Sequence, residues 1–144
     1  MPQIQRSALV SYSASQMYLL VNDVEAYAHF LPGCGGAKVH QATDKEMLAS
    51  VQIVKAGINK WFTTRNQLSD GQRIEMQLVE GPFRSLIGNW HFTELDEAAC
   101  KISLSLEFEF SGKLVELAFG KVFNQVASNM VDAFVARAKE VYGV

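Results

Sequence analysis

The chain is poor in the residues that most chemistry-bearing folds need. Its 144 residues hold two cysteines, three histidines and three prolines, with no run of like charge. Cys34 and Cys100 form no C-x-x-C pair, and His29, His40 and His91 fall in no ligand spacing such as H-x-x-x-H. No metal site and no disulfide framework are therefore expected, and both thiols are read as reduced. A nucleophile elbow, a phosphate-binding loop and a dinucleotide fingerprint are missing as well, so no catalytic residue is assigned. No apolar stretch approaches the roughly 18 residues of a membrane span. The opening MPQIQRSALVSY has one arginine and no apolar core, unlike a signal peptide, and a cytoplasmic protein is expected. Thirteen Lys and Arg stand against fifteen Asp and Glu, for a formal charge of −2. That balance argues against a broad electrostatic grip on nucleic acid, and no DNA partner is expected.

What the chain does have is periodicity. Over 113–142 apolar side chains recur at steps of three and four, at Val115, Phe119, Val122, Val126, Met130, Phe134, Ala138 and Val141. A second column of Phe123, Ala127, Val131 and Val135 widens the stripe. The spacing predicts one long helix of about 45 Å, which needs a broad surface to cover it. Ser111-Gly112 opens it, and Gly143 stands where a left-handed cap would close it. Gly120 interrupts the helix and reads as a point of close packing or a bend.

The first residues alternate, with Ile4, Ala8, Val10 and Tyr12 on one side of a half-buried strand. Ser13 with Gln16 reads as a capping box before a short helix, and Asn22-Asp23 divides it from a second short helical stretch. Period two then governs 37–110, predicting strands over 37–41, 46–53, 60–68, 73–80, 87–95 and 100–110 with short turns between them. Short turns make neighbours antiparallel. The fold class is α+β: a helix-grip in which a curled antiparallel sheet of about seven strands wraps a long C-terminal helix, with two short helices after strand one, in a single domain over 1–144. A curled sheet and one rod seldom pack completely, so an apolar internal cavity is expected, a natural place for a small hydrophobic ligand.

Candidate cavity walls are Phe62, Met76, Leu78 and Trp90 on the strands, with Phe119, Phe123, Met130 and Phe134 on the helix. Arg65 is a further candidate. It shares the parity of Trp61 and Thr63, so it either binds a polar head group on the concave face or pairs with a carboxylate on the outer one, the plainer reading. Of the adjacent Trp61 and Phe62, one must face outward. Pro32, Gly33 and Cys34 end a helix and also suit a mobile mouth loop, two compatible roles. Gly81-Pro82-Phe83-Arg84 reads as a turn that leaves Phe83 exposed beside Arg84, a surface for a membrane, a partner or a ligand tail. Glu107, Glu109 and His91 read as solvated strand residues.

Several runs carry a resemblance when taken together: VNDVEAYAHFLPGC (21–34), KAGI (55–58), FTTRNQL (62–68), GPFRSLIGNWHF (81–92), FEF (108–110) and KLVELAFGKVF (113–123). They resemble the bacterial ribosome association toxins of the START-like superfamily, which are similar in turn to mitochondrial coenzyme Q-binding proteins. The resemblance spans essentially the whole chain. It implies a START-like domain, no required cofactor and two non-enzymatic roles. The leading one is binding the large ribosomal subunit so that subunits cannot join, with a small partner protein also implied. The other is holding a small hydrophobic ligand such as ubiquinone, another isoprenoid or a lipid. The superfamily's polyketide cyclases add a third class, an enzyme, which would show a polar, titratable cavity where a ligand carrier shows an apolar one.

Overall fold

The computed structural model describes residues 3–143. Seven strands form, β1 (Gln3–Val10), β2 (Cys34–Ala42), β3 (Glu46–Lys55), β4 (Ile58–Ser69), β5 (Arg73–Glu80), β6 (Phe83–Asp96) and β7 (Ala99–Phe110). They make one sheet in the order β1-β7-β6-β5-β4-β3-β2, each neighbouring pair antiparallel. The first strand lies against the last, with Gln3 opposite Glu107 and Val10 opposite Cys100. β2 and β6 run longer than alternation indicated. Cys34 is already paired with Ile53, and β6 begins at Phe83 opposite Phe110.

Helix α1 (Ala14–Asn22) starts on the expected capping box. The Ser13 hydroxyl accepts from the Gln16 backbone N–H at 3.1 Å while the Gln16 side chain accepts from the Ser13 N–H at 2.9 Å. A 3-10 helix over Val24–His29 follows the break at Asn22-Asp23. Met17, Tyr18, Val21, Val24 and Tyr27 are buried from these two elements.

The expected single rod is two helices, α2 (Lys113–Ser128) and α3 (Met130–Tyr142). At Asn129 the backbone N–H reaches back to the Val126 carbonyl at 3.3 Å, tightening the turn. Ser128 and Asn129 are adjacent residues of low helix propensity whose short polar side chains favour helix ends over helix interiors. Gly120 does not interrupt the helix. It lies within α2, and a Cβ there would meet Phe110 at 3.4 Å. Gly143 closes α3 in the left-handed region at φ 73°.

Two aromatic groups fill the space between sheet and helices. Phe83, Phe108 and Phe110 of the sheet pack against Phe119 and Phe123 on the underside of α2. Tyr27, Phe30 and Trp90 pack around Phe134 on the underside of α3. Such edge-to-face contacts add specificity to the large apolar burial.

Candidate functional site

Between the two aromatic groups the sheet and the helices do not meet, and a cavity of about 80 Å³ remains. At about 10–15 Å³ per water-sized group, that is room for a handful of them, the scale of one small ring. Ala49, Val51 and Ile53 of β3, Leu104 and Leu106 of β7, and Val126 and Ala127 of α2 supply much of the wall. Phe62, Met76, Trp90, Phe123 and Met130 also line it. Among the lining residues Val51, Phe62 and Met76 in the sheet are half-buried, as are Cys34, Val126 and Met130; the latter three border the 31–34 loop and the seam of α2 with α3, the side taken as the mouth.

Other candidates stand elsewhere. Phe119 is enclosed by Phe83, Phe110 and Phe123, and Phe134 by Tyr27, Phe30 and Trp90. Leu78 is half-buried next to Gly81, outside the lining. Arg65 faces outward, on the same side of β4 as Trp61, and pairs with Glu46. That hydrogen bond, with a second from Gln67, holds the Glu46 carboxyl below its usual range. Arg65 therefore binds no head group on the concave side. Trp61 is the outward member of the Trp61-Phe62 pair, 40% exposed, with the Lys38 ammonium 5.3 Å from its ring.

Phe83 is corrected outright. It is 5% exposed, with Phe62, Phe108, Phe110, Phe119 and Phe123 around it. The turn before it is so short that Phe83 already occupies an inward position of β6. Arg84 is the exposed one and pairs with Glu109 at 3.3 Å, while Pro82 is half-buried. In the mouth loop Pro32 is exposed and Gly33, at φ 85°, lies against Val126. Burial pushes the Cys34 thiol up from its ordinary value.

The polar part of the cavity was missed in the sequence. Thr64 and Asn66, both buried, line it from β4, and the Thr64 hydroxyl donates to Asn66 Oδ1 at 2.8 Å. The signal was there: both share the parity of Phe62. Tyr27 is the other hydroxyl on the wall. It donates to the Val21 carbonyl, and burial holds its phenol far above the usual range. Among the described residues no group of three or more His, Cys, Asp or Glu could hold a metal ion. No helix among them is long and apolar enough to cross a membrane.

Residues 10–135 match the family model described as polyketide cyclase / dehydrase and lipid transport. The ribosome association toxin of Vibrio cholerae is 62% identical over 143 residues, 99% of each chain. The chain belongs to that family and, within it, to the ribosome association toxins. This toxin-family chain is also similar to the mitochondrial coenzyme Q-binding protein of Schizosaccharomyces pombe, 26% identical over 144 residues, covering 92% of this chain and 84% of that one. Among solved structures, the Zhui aromatase/cyclase of Streptomyces sp. R1128 superposes with a TM-score of 0.84 over 96% of this chain and 93% of that one. At 16% identity it shows the shared fold of the toxin-family chain and no more.

Proposed function

We propose that this protein is a non-enzymatic binding protein that associates with the large ribosomal subunit and keeps the subunits from joining. The observation that carries the reading is the 62% identity to a ribosome association toxin along 99% of both chains. The charge layout supports it. Although the whole chain is at −2, residues 30–43 and 47–69 contain no Asp or Glu, and they gather three lysines at the β2–β4 end of the sheet: Lys38 beside the exposed Trp61 on the outer face, and Lys55 and Lys60 at the parity of Ile53 and Phe62. Arg65 of the same stretch is already paired. Three lysines reach few phosphates, so binding should weaken with salt along a log–log slope no steeper than about −3. Shape and protein contacts supply the rest.

Cosedimentation with purified large subunits, together with a gradient profile of subunit joining, tests this. Protein travelling with the large subunit and a reduced joined peak are expected. Protein left at the top of the gradient with normal joining removes the reading.

The apolar cavity favours a second reading, that the chain binds a hydrophobic ligand such as ubiquinone or another isoprenoid. Its lining is apolar apart from a few side chains, as a carrier's should be and a cyclase's should not. The space holds a ring; a long tail would leave by the mouth. Native mass spectrometry of protein from its own host, with organic extraction, should then find a stoichiometric isoprenoid, and an empty protein counts against this role. Neither role requires a cofactor. The cavity lies on the inner face of the sheet and Trp61 on the outer, so one molecule can serve both.

A further inference from the structure

We infer that Asn66, held by Thr64, is the anchor for a carbonyl oxygen on an otherwise apolar molecule in the cavity. The inference rests on the hydrophobic-ligand reading above and names the chemistry of its ligand.

Asn66 occupies an unusual place. The register runs from Met47 through Asn66, Met76 and Gly88 to Leu106, a row across five adjacent strands in which it is the one polar side chain. Asn is among the residues depleted in strands, because its amide adds little to packing on a pleated surface and brings groups that need partners. Here it is 6% exposed, and Thr64 beside it is 7% exposed. A buried amide without partners is costly, so such a group in a native fold asks for an explanation.

The hydrogen bonds narrow that explanation. Of the lining donors, the Tyr27 hydroxyl is spent on the Val21 carbonyl and the Cys34 thiol on the Gly36 carbonyl. The Thr64 proton goes to Asn66 Oδ1 at 2.8 Å, which fixes the orientation of the amide. The Asn66 Nδ2 group has no hydrogen-bond partner among the described residues, yet it is not sealed from accessible space. It is an uncommitted donor on a residue that lines the cavity. Its complement is an acceptor oxygen, and the apolar walls select one carried on an apolar frame: a quinone or a cyclic ketone. A free fatty carboxylate is disfavoured, since Tyr27 and Cys34 are engaged and no cation lines the cavity to balance its charge.

Neighbouring residues leave room for this arrangement. A Cβ at Gly88 would stand 2.5 Å from Met76 Cε and 2.6 Å from Leu106 Cδ2, so the glycine lets Met76 fold back against the sheet beside Asn66. Met76 is the adaptable wall next to the anchor.

Two probes of equal size test the assignment: a short-chain alkyl-1,4-benzoquinone and an alkylbenzene lacking the carbonyls. Binding to the full chain is read by calorimetry and by quenching of Trp90, which lines the cavity. Asn66→Leu is expected to weaken benzoquinone binding roughly fivefold to tenfold, the worth of one hydrogen bond, while alkylbenzene binding holds or improves. Thr64→Val, which frees the amide to turn, should lower the same selectivity by a smaller factor, and it decides the matter if Asn66→Leu does not fold. Equal changes for both probes, or none for either, overturn the anchor while leaving the ligand reading in place. A parent protein that binds neither probe removes the ligand reading and the anchor together.

Discussion

Gly33 lies directly against Val126: a Cβ on the glycine would stand 2.7 Å from Val126 Cγ2. Its φ of 85° is also one that side chains avoid. The mouth loop is thereby tied to α2 at the edge of the cavity. Gly33→Ala should cost about 1–3 kcal/mol in urea unfolding, from strain and collision together. Adding Val126→Ala should recover the collision part and not the strain. If Gly33→Ala unfolds at the parental midpoint, the loop is free to move off the helix.

Phe83→Ala should destabilise by about 3–5 kcal/mol, since it empties the centre of a cluster of rings with little freedom to collapse. The check is the same unfolding curve. Parental stability would return Phe83 to the surface role that its Gly-Pro turn suggests.

Gly120→Ala should stabilise by about 0.5–1 kcal/mol. A helix-interior glycine loses more conformational freedom than alanine, and the new Cβ would make an ordinary 3.4 Å contact with Phe110. A lower melting temperature in the variant would mean that α2 and β7 are closer than this contact indicates.

Cys34 should alkylate slowly with iodoacetamide at pH 8. Only the thiolate reacts, and burial raises the thiol above its ordinary value, so the thiolate fraction is lower than in a free cysteine and climbs only as pH passes that raised value. An alkylbenzene in the cavity should slow the reaction further, because Cys34 lines the wall. Cys100 is fully buried and should remain unmodified until the chain unfolds. Mass spectrometry of the labelled protein reads both sites. Fast labelling of Cys34 at pH 8, unaffected by the probe, would place the thiol outside the cavity.

The sheet was legible because alternation is a direct consequence of a pleat with one oily face, and the turns that fix its antiparallel order are short. The aromatic wall residues Phe62 and Phe123 followed from the same patterns. Asn129 was hidden for a physical reason. Val126 and Met130 are four residues apart on either side of it, so the oily stripe continues in step while the backbone is interrupted. Phe83 was misread because turn residues mark where a strand can begin without marking how soon. Asn66 shares the inward parity of Phe62, but a lone neutral amide in a strand carries no pattern that sets it apart, whereas the charged Arg65 beside it faces water and Glu46.

The break at Asn129 has one further consequence. On one side of it α2 is fastened by the Phe83, Phe119 and Phe123 rings; on the other α3 is fastened by Phe134 under Trp90 and by the Tyr142 hydroxyl, which donates to the Gln16 carbonyl at 2.8 Å. Each rod has its own moorings, and Val126 and Met130 flank the joint on the cavity wall. The wall at this end of the cavity is therefore set where two separately moored helices meet, and each side of the joint is held by its own contacts.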